Sequence, residues 1–126
     1  MARILVVEDN EANQELVTRF LRREGHEVIQ AMDGMTGVTL AQGQVPDLIL
    51  MDLSLPELDG WEATRQIRAY PPTAKVPIIA LTSNAFAEDV QRAFQAGCTH
   101  YETKPLVYRR LIKKIRSLLN PETLAV

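Results

Sequence analysis

Five side chains of this sequence have the types needed for metal-assisted phosphoryl chemistry, and each lies at the end of a candidate strand. Glu8 and Asp9 come after Ile4-Leu5-Val6-Val7, and Asp52 after Leu48-Ile49-Leu50-Met51. Thr82 closes Val76-Pro77-Ile78-Ile79-Ala80-Leu81, and Lys104 follows His100-Tyr101-Glu102-Thr103. Three carboxylates brought together raise one another's pKa unless a cation neutralises them. Hard oxygen donors without imidazole or thiolate suit Mg2+, which keeps several waters and needs few protein carboxylates. A divalent cation and an ammonium beside a carboxylate also meet the needs of a transferring phosphoryl group. An aspartate can itself be the nucleophile and form an aspartyl phosphate.

That chemistry requires the five positions to meet, and the elements between them predict that they do. Continuous apolar runs such as 4–7, 48–51 and 76–81 suit strands buried on both faces, as in a parallel sheet. Glu27-Val28-Ile29-Gln30-Ala31 and residues 100–103 are weaker strand candidates. Helical periodicity fills the gaps. Leu16, Val17, Phe20 and Leu21 form a stripe ended by Gly25, and Ala63, Ile67 and Tyr70 form another before Pro71-Pro72. Val90, Ala93 and Phe94 precede Gly97, and Leu111, Ile112, Ile115, Leu118 and Leu119 make the last stripe. The weakest helix runs from Thr36 to Gln42, where Gly37 and Gly43 dilute the pattern. A β-α unit repeated five times implies an α/β, doubly wound, five-stranded parallel sheet with helices on both faces and right-handed crossovers. Ligands of such sheets bind beyond the carboxyl ends of the strands, where all five side chains would converge.

Composition narrows the function classes. The chain has 126 residues, the size of one domain, with 46% hydrophobic and 24% charged residues. A formal net charge of -2 argues against bulk attraction to nucleic acid. Cys98 is the single cysteine, so no intramolecular disulfide forms. With only His26 and His100 beside it, a structural zinc site is not expected. No segment approaches the ~20 apolar residues that span a bilayer, and the acids at 8 and 9 end the first run too early for a signal peptide. A cytoplasmic domain over residues 1–120, with a short tail over 121–126, is the expectation.

Each residue also has an ordinary reading. Glu8 and Asp9 alone could be a helix N-cap and a first-turn acid. Asp52 could be a turn residue, Thr82 a helix-entry cap and Lys104 a solvated lysine. Tyr101 could be a half-buried strand aromatic, and Trp61 is expected to pack partly in the third helix. Cys98 reads as a core filler, and His26 and His100 as surface residues. The basic run Arg109-Arg110, Lys113-Lys114 and Arg116 reads as the solvated face of the last helix, with docking as its other use.

The set as a whole resembles the receiver domains of two-component signalling, the CheY-like response regulators. The resemblance spans residues 2–119. It is carried by Val7-Glu8-Asp9-Asn10, Asp47-Leu48-Ile49-Leu50-Met51-Asp52, Pro56-Glu57-Leu58-Asp59-Gly60, Ala80-Leu81-Thr82, Ala96-Gly97 and Lys104-Pro105 in this order. It implies strand order 2-1-3-4-5 and a role for each position. Asp52 would be the phosphoacceptor. Asp9 would ligate Mg2+ directly, Glu8 mostly through a metal-bound water, and Ser54 through its backbone carbonyl. Thr82 and Lys104 would contact the phosphoryl group, a cis bond would precede Pro105, and Tyr101 would be the switch aromatic. A phosphohistidine partner would dock on Asn10, Asn13, Leu16, Pro105 and Leu106, with Leu16 also a core candidate. Glu8 stands where many relatives carry Asp, and His100 where an acid is common.

The resemblance implies a phosphorylation-controlled switch. It would take a phosphoryl group from a histidine kinase or phosphotransferase and change its binding of a downstream protein through the face of helix four, strand five and helix five. It leaves room for a phosphorylation-dependent dimer. A stand-alone regulator or relay intermediate is the first reading, and a receiver from a larger regulator the second. A Mg2+-dependent aspartyl phosphatase is the competing enzyme, but it needs an acid two residues after Asp52, where Ser54 stands. Only slow autodephosphorylation is expected. A flavin site would want a Gly/Ser/Thr-rich loop after strand one, where Glu8 and Asp9 would repel the phosphate.

Overall fold

The computed structural model describes residues 1–84 and 86–120; the tail expected over 121–126 lies outside them. Five strands alternate with five helices: β1 Arg3–Val7, α1 Glu11–Arg23, β2 Glu27–Ala31, α2 Gly34–Gln44, β3 Leu48–Asp52, α3 Gly60–Ala69, β4 Ile78–Thr82, α4 Ala87–Ala96, β5 His100–Thr103 and α5 Tyr108–Leu119. A single 3-10 turn, Pro71–Thr73, follows α3. All neighbouring strands pair in parallel, in the order β2-β1-β3-β4-β5.

The apolar runs are strands because each supplies two cores by alternation. Ile4, Val6, Leu48, Leu50, Ile79 and Leu81 face one core with Val17 and Leu21 of α1 and Leu111 and Ile115 of α5. Leu5, Val7, Ile49, Met51, Ile78 and Ala80 face the other, with residues from α2, α3 and α4. A strand covered on both faces has no position left for an exposed polar residue, hence the unbroken apolar runs.

Several boundaries and faces differ from the sequence reading. Helix α2 is longer than expected, because Asp33 caps it by accepting from Thr36 N–H at 2.8 Å. Strand β4 begins after Pro77 and includes Thr82. Leu16 is not a core residue: it is 54% exposed, and the buried face of α1 is Gln14, Val17, Thr18 and Leu21. Tyr70 and Phe94 are likewise exposed, Tyr70 because it leaves α3 in an extended conformation. Trp61 does pack partly, against the α2/α3/α4 core, with the Arg92 guanidinium 4.1 Å above its ring. Cys98 is buried and His100 exposed, as expected, while His26 is half-buried and accepts the Ala2 N–H.

Two glycines stand where a side chain would be strained or would clash. Gly97 ends α4 at φ +116°, which L side chains rarely adopt. Gly60 starts α3 directly against β3, where a Cβ would lie 2.2 Å from the Asp52 carbonyl oxygen. Strand β3 and α3 approach this closely only because residue 60 has no side chain.

Candidate metal and phosphoacceptor site

The register aligns the strand ends. Val7 pairs with Met51, Asp52 with Leu81, and Thr82 with Thr103. Residues just beyond β1, at the end of β3 and β4, and just beyond β5 therefore share one rim. Glu8, Asp9 and Asp52 each offer a carboxylate oxygen there, all within 4.8 Å of one another. Glu8 and Asp52 are buried, and Asp9 is exposed at the mouth.

Lys104 closes the cluster. Its Nζ donates to Glu8 Oε1 at 2.8 Å and to Asp52 Oδ2 at 3.0 Å. The remaining oxygens are also held: Asp52 Oδ1 accepts from the Ser54 N–H at 3.0 Å, and Glu8 Oε2 from the Asn10 N–H at 3.1 Å. Burial pushes the Glu8 carboxyl above the usual glutamate range, against the pull of the Lys104 and Asn10 hydrogen bonds. Burial disfavours the Lys104 ammonium, but its bonds to Glu8 and Asp52 outweigh that and raise its pKa. Three carboxylates with one internal ammonium leave excess negative charge, which a divalent cation would neutralise. The donors are three carboxylates with no imidazole or thiolate, a set that fits Mg2+.

Thr82 reaches the rim with its hydroxyl turned away from Asp52. Its Oγ1 donates to the Asn84 carbonyl at 2.9 Å and accepts the Asn84 N–H at 3.1 Å. The Lys104–Pro105 peptide is cis. Tyr101 is half-buried in β5, edge-on to Phe94 with ring centroids 6.2 Å apart. The Lys114 Nζ lies 5.4 Å from its ring centroid and donates to its carbonyl at 2.6 Å. Asn13, Leu16, Pro105 and Leu106 line one groove beside Lys104, whose volume is about 530 Å³. Asn10 is exposed at the N-cap of α1, where its side chain accepts from the Asn13 N–H.

Part of the basic run is engaged in ion pairs, although the Arg110 side chain stays 58% exposed. Arg110 and Lys114 pair with Glu102, which is only 2% exposed. Gln14, with two other polar residues near it, was not singled out by the sequence reading. It is 2% exposed, and its Nε2 lies 3.0, 3.1 and 3.4 Å from three backbone carbonyl oxygens near the rim. Its signal is its spacing, since positions 14, 17, 18 and 21 make one helical face.

Residues 4–116 match the response regulator receiver domain family. The polar-differentiation response regulator DivK of Brucella anthropi is 38% identical over 116 residues, covering 92% of this chain and 94% of that protein. Among solved structures, the receiver domain of sensor histidine kinase PA1611 from Pseudomonas aeruginosa PAO1 is 42% identical with a TM-score of 0.89. The match covers 94% of this chain and 98% of that one, which holds a magnesium ion coordinated in its active-site cleft. The receiver domain of Ssk1 from Saccharomyces cerevisiae, crystallised with the histidine phosphotransfer protein Ypd1, is 35% identical with a TM-score of 0.86. That match covers 92% of this chain and 87% of that one. With strand order 2-1-3-4-5 and an acidic rim closed by a lysine, the chain belongs to the response regulator receiver domains of two-component signalling.

Proposed function

We propose that this receiver domain takes a phosphoryl group onto Asp52 in a Mg2+-dependent reaction and reports it through the surface of α4, β5 and α5. The observation that carries the reading is the convergence of Glu8, Asp9 and Asp52 with Lys104 bridging two of them. Asp9, Asp52 and the Ser54 carbonyl would hold Mg2+ directly, with Glu8 acting mostly through a bound water. The bound ion would neutralise the carboxylates and the incoming phosphoryl oxygens. An Asp52 oxygen attacks phosphorus, the phosphorus–nitrogen bond of a phosphohistidine breaks, and the imidazole nitrogen leaves with the electron pair. The Ser54 N–H and Lys104 hold the two Asp52 oxygens and would orient the carboxylate for this attack. Lys104 then pairs with the new phosphoryl oxygens, and hydrolysis of the group is slow and without outside substrate.

The switch starts from the two bonds Thr82 makes with Asn84. For its hydroxyl to donate to a phosphoryl oxygen, its single proton must leave the Asn84 carbonyl, which loosens the turn leading toward α4. The Tyr101 ring then moves into the space that opens. Charge-assisted bonds are worth roughly 1.5–3 kcal/mol each, enough to shift a two-state equilibrium by one to two decades. The unphosphorylated domain therefore samples the active form at a low level.

The donor would be a histidine kinase or phosphotransfer protein docked on Asn10, Asn13, Leu16, Pro105 and Leu106. The exposed Leu16 beside Lys104 supports this surface. The output would be a cytoplasmic protein partner or a phosphorylation-dependent dimer. The test is a beryllofluoride titration followed by NMR, on wild type and Thr82→Ala. Shifts concentrated in residues 82–108, and a variant that accepts phosphate without gaining partner affinity, are expected. Equal shifts across α1 to α3, or a variant that switches normally, would refute the mechanism.

A further inference from the structure

Gln14 does not touch the carboxylates, yet it holds both ends of the segment that carries two of them. Its backbone N–H closes the first turn of α1 on the Asn10 carbonyl at 2.9 Å. Its side-chain Nε2 lies 3.0 Å from the Val6 carbonyl oxygen, 3.1 Å from that of Ala31 and 3.4 Å from that of Glu8. The Ala31 carbonyl also accepts the Glu8 N–H at 3.0 Å. One amide thus ties β1, the end of β2 and Glu8 together, immediately before the helix that follows Asp9.

The orientation of that amide is enforced from behind. The Thr18 hydroxyl donates to Gln14 Oε1 at 3.1 Å and accepts from Gln30 Nε2 at 2.9 Å. A hydroxyl has one proton, so accepting from Gln30 leaves it free to donate to Gln14. Turning the amide over would set its oxygen against three carbonyl oxygens, which no donor could relieve. A polar relay therefore runs from Gln30 through Thr18 and Gln14 to the β1–α1 junction. The neighbouring positions on this face, Val17 and Leu21, are apolar, so packing alone would be met by leucine or methionine at residue 14.

We infer that Gln14 is a positioning residue for the metal site, its amide fixing the β1–α1 junction so that Glu8 and Asp9 stand at the spacing from Asp52 that a divalent cation requires. This rests on the reading of Glu8, Asp9 and Asp52 as a Mg2+ site. Residues that orient ligands in this way cost roughly 10- to 100-fold in metal affinity when removed.

The test is the rate of labelling of the full chain by acetyl phosphate as a function of Mg2+, with thermal melts of each variant alongside. Gln14→Met keeps the volume and loses the bonds. It should raise the half-saturating Mg2+ concentration about tenfold and leave the rate at saturating Mg2+ within about twofold. Thr18→Val, which releases the amide, should move the same quantity in the same direction. Thr18→Ser, which restores the hydroxyl, should return it to the wild-type value. These two carry the test if Gln14→Met does not fold. Lowered melting temperatures with unchanged half-saturation would show a purely structural role and overturn the inference. If instead wild-type labelling is independent of Mg2+, the reading of the metal site itself fails. Mg2+-dependent wild type with indifferent variants removes only the role of Gln14.

Discussion

Replacing Lys104 by methionine should destabilise the metal-free domain and at the same time tighten its hold on Mg2+. The Nζ sits 2.8 Å from Glu8 and 3.0 Å from Asp52, and both carboxylate side chains are only 3% exposed. Removing one partner from such a cluster leaves buried charge uncompensated, typically at 3–5 kcal/mol. Lys104 is itself 21% exposed and Glu8 can take up a proton, so the lower end, about 3 kcal/mol at neutral pH, is the expected loss. For a domain of this size that is a fall in Tm of roughly 10 °C. With the ammonium gone, the fully ionised site carries -3 rather than -2, and no ammonium competes with a cation for Glu8 and Asp52. Even in bulk water a unit charge at 4 Å exerts about 1 kcal/mol, so Mg2+ affinity should rise at least several-fold. Saturating Mg2+ then stabilises the variant at lower metal concentration than wild type and closes much of the gap, since a ligand at about 100 times its Kd adds roughly 2.7 kcal/mol. Denaturation in chelator and in Mg2+, with calorimetric Mg2+ titrations, measures both quantities. A loss under about 1 kcal/mol in chelator, or Mg2+ binding no tighter than wild type, would refute the claim that Lys104 is the cluster's internal counterion.

Three further outcomes follow from local geometry. Gly60→Ala places a Cβ 2.2 Å from the Asp52 carbonyl oxygen and 2.6 Å from Leu53 Cα; overpacking of this kind costs ~1–3 kcal/mol, so urea denaturation should register that loss and labelling of Asp52 should slow. Val45 caps α2 in the left-handed region at φ 42°, ψ 75°. A β-branched residue there costs ~1–2 kcal/mol, and glycine returns part of the gain as chain entropy, so Val45→Gly should stabilise by about 0.5–1 kcal/mol. Glu8, with its pKa raised by burial above 4.5, binds a proton in the folded state at a pH where the unfolded chain does not. Mg2+ must displace that proton, so its affinity should fall as pH drops through the raised value and level off above it. In Glu8→Gln that part of the pH dependence should vanish, as read by titrations at several pH values.

Much of this arrangement is legible in the sequence because the strands are covered on both faces. Residues 4–7 and 48–51 have no solvent side, and their apolar runs point straight at Glu8, Asp9 and Asp52. The face of α1 is harder. Leu16 and Phe20 invite burial, yet Gln14 and Thr18 take the inward positions because their polar groups find partners there, and periodicity alone does not reveal such partners. β5 looks weak as a strand for the same reason. Its inward residue is Glu102, kept buried by Arg110 and Lys114 from α5. The Lys104 bridge joins residues 96 and 52 positions apart in sequence, so only the parallel register creates it. The direction of the Thr82 hydroxyl, toward Asn84 rather than Asp52, is a conformational state that residue identity does not encode.

In the proposed reaction Asp52 accepts the phosphoryl group with the help of Mg2+. Intact-mass measurement after incubation with acetyl phosphate tests it most directly, run with Mg2+, with chelator, and on Asp52→Asn. A gain of one phosphoryl group is expected with Mg2+, lost in chelator, lost in Asp52→Asn and released by hydroxylamine, as an acyl phosphate is. Labelling of Asp52→Asn at the wild-type level, or a product that resists hydroxylamine, would contradict it.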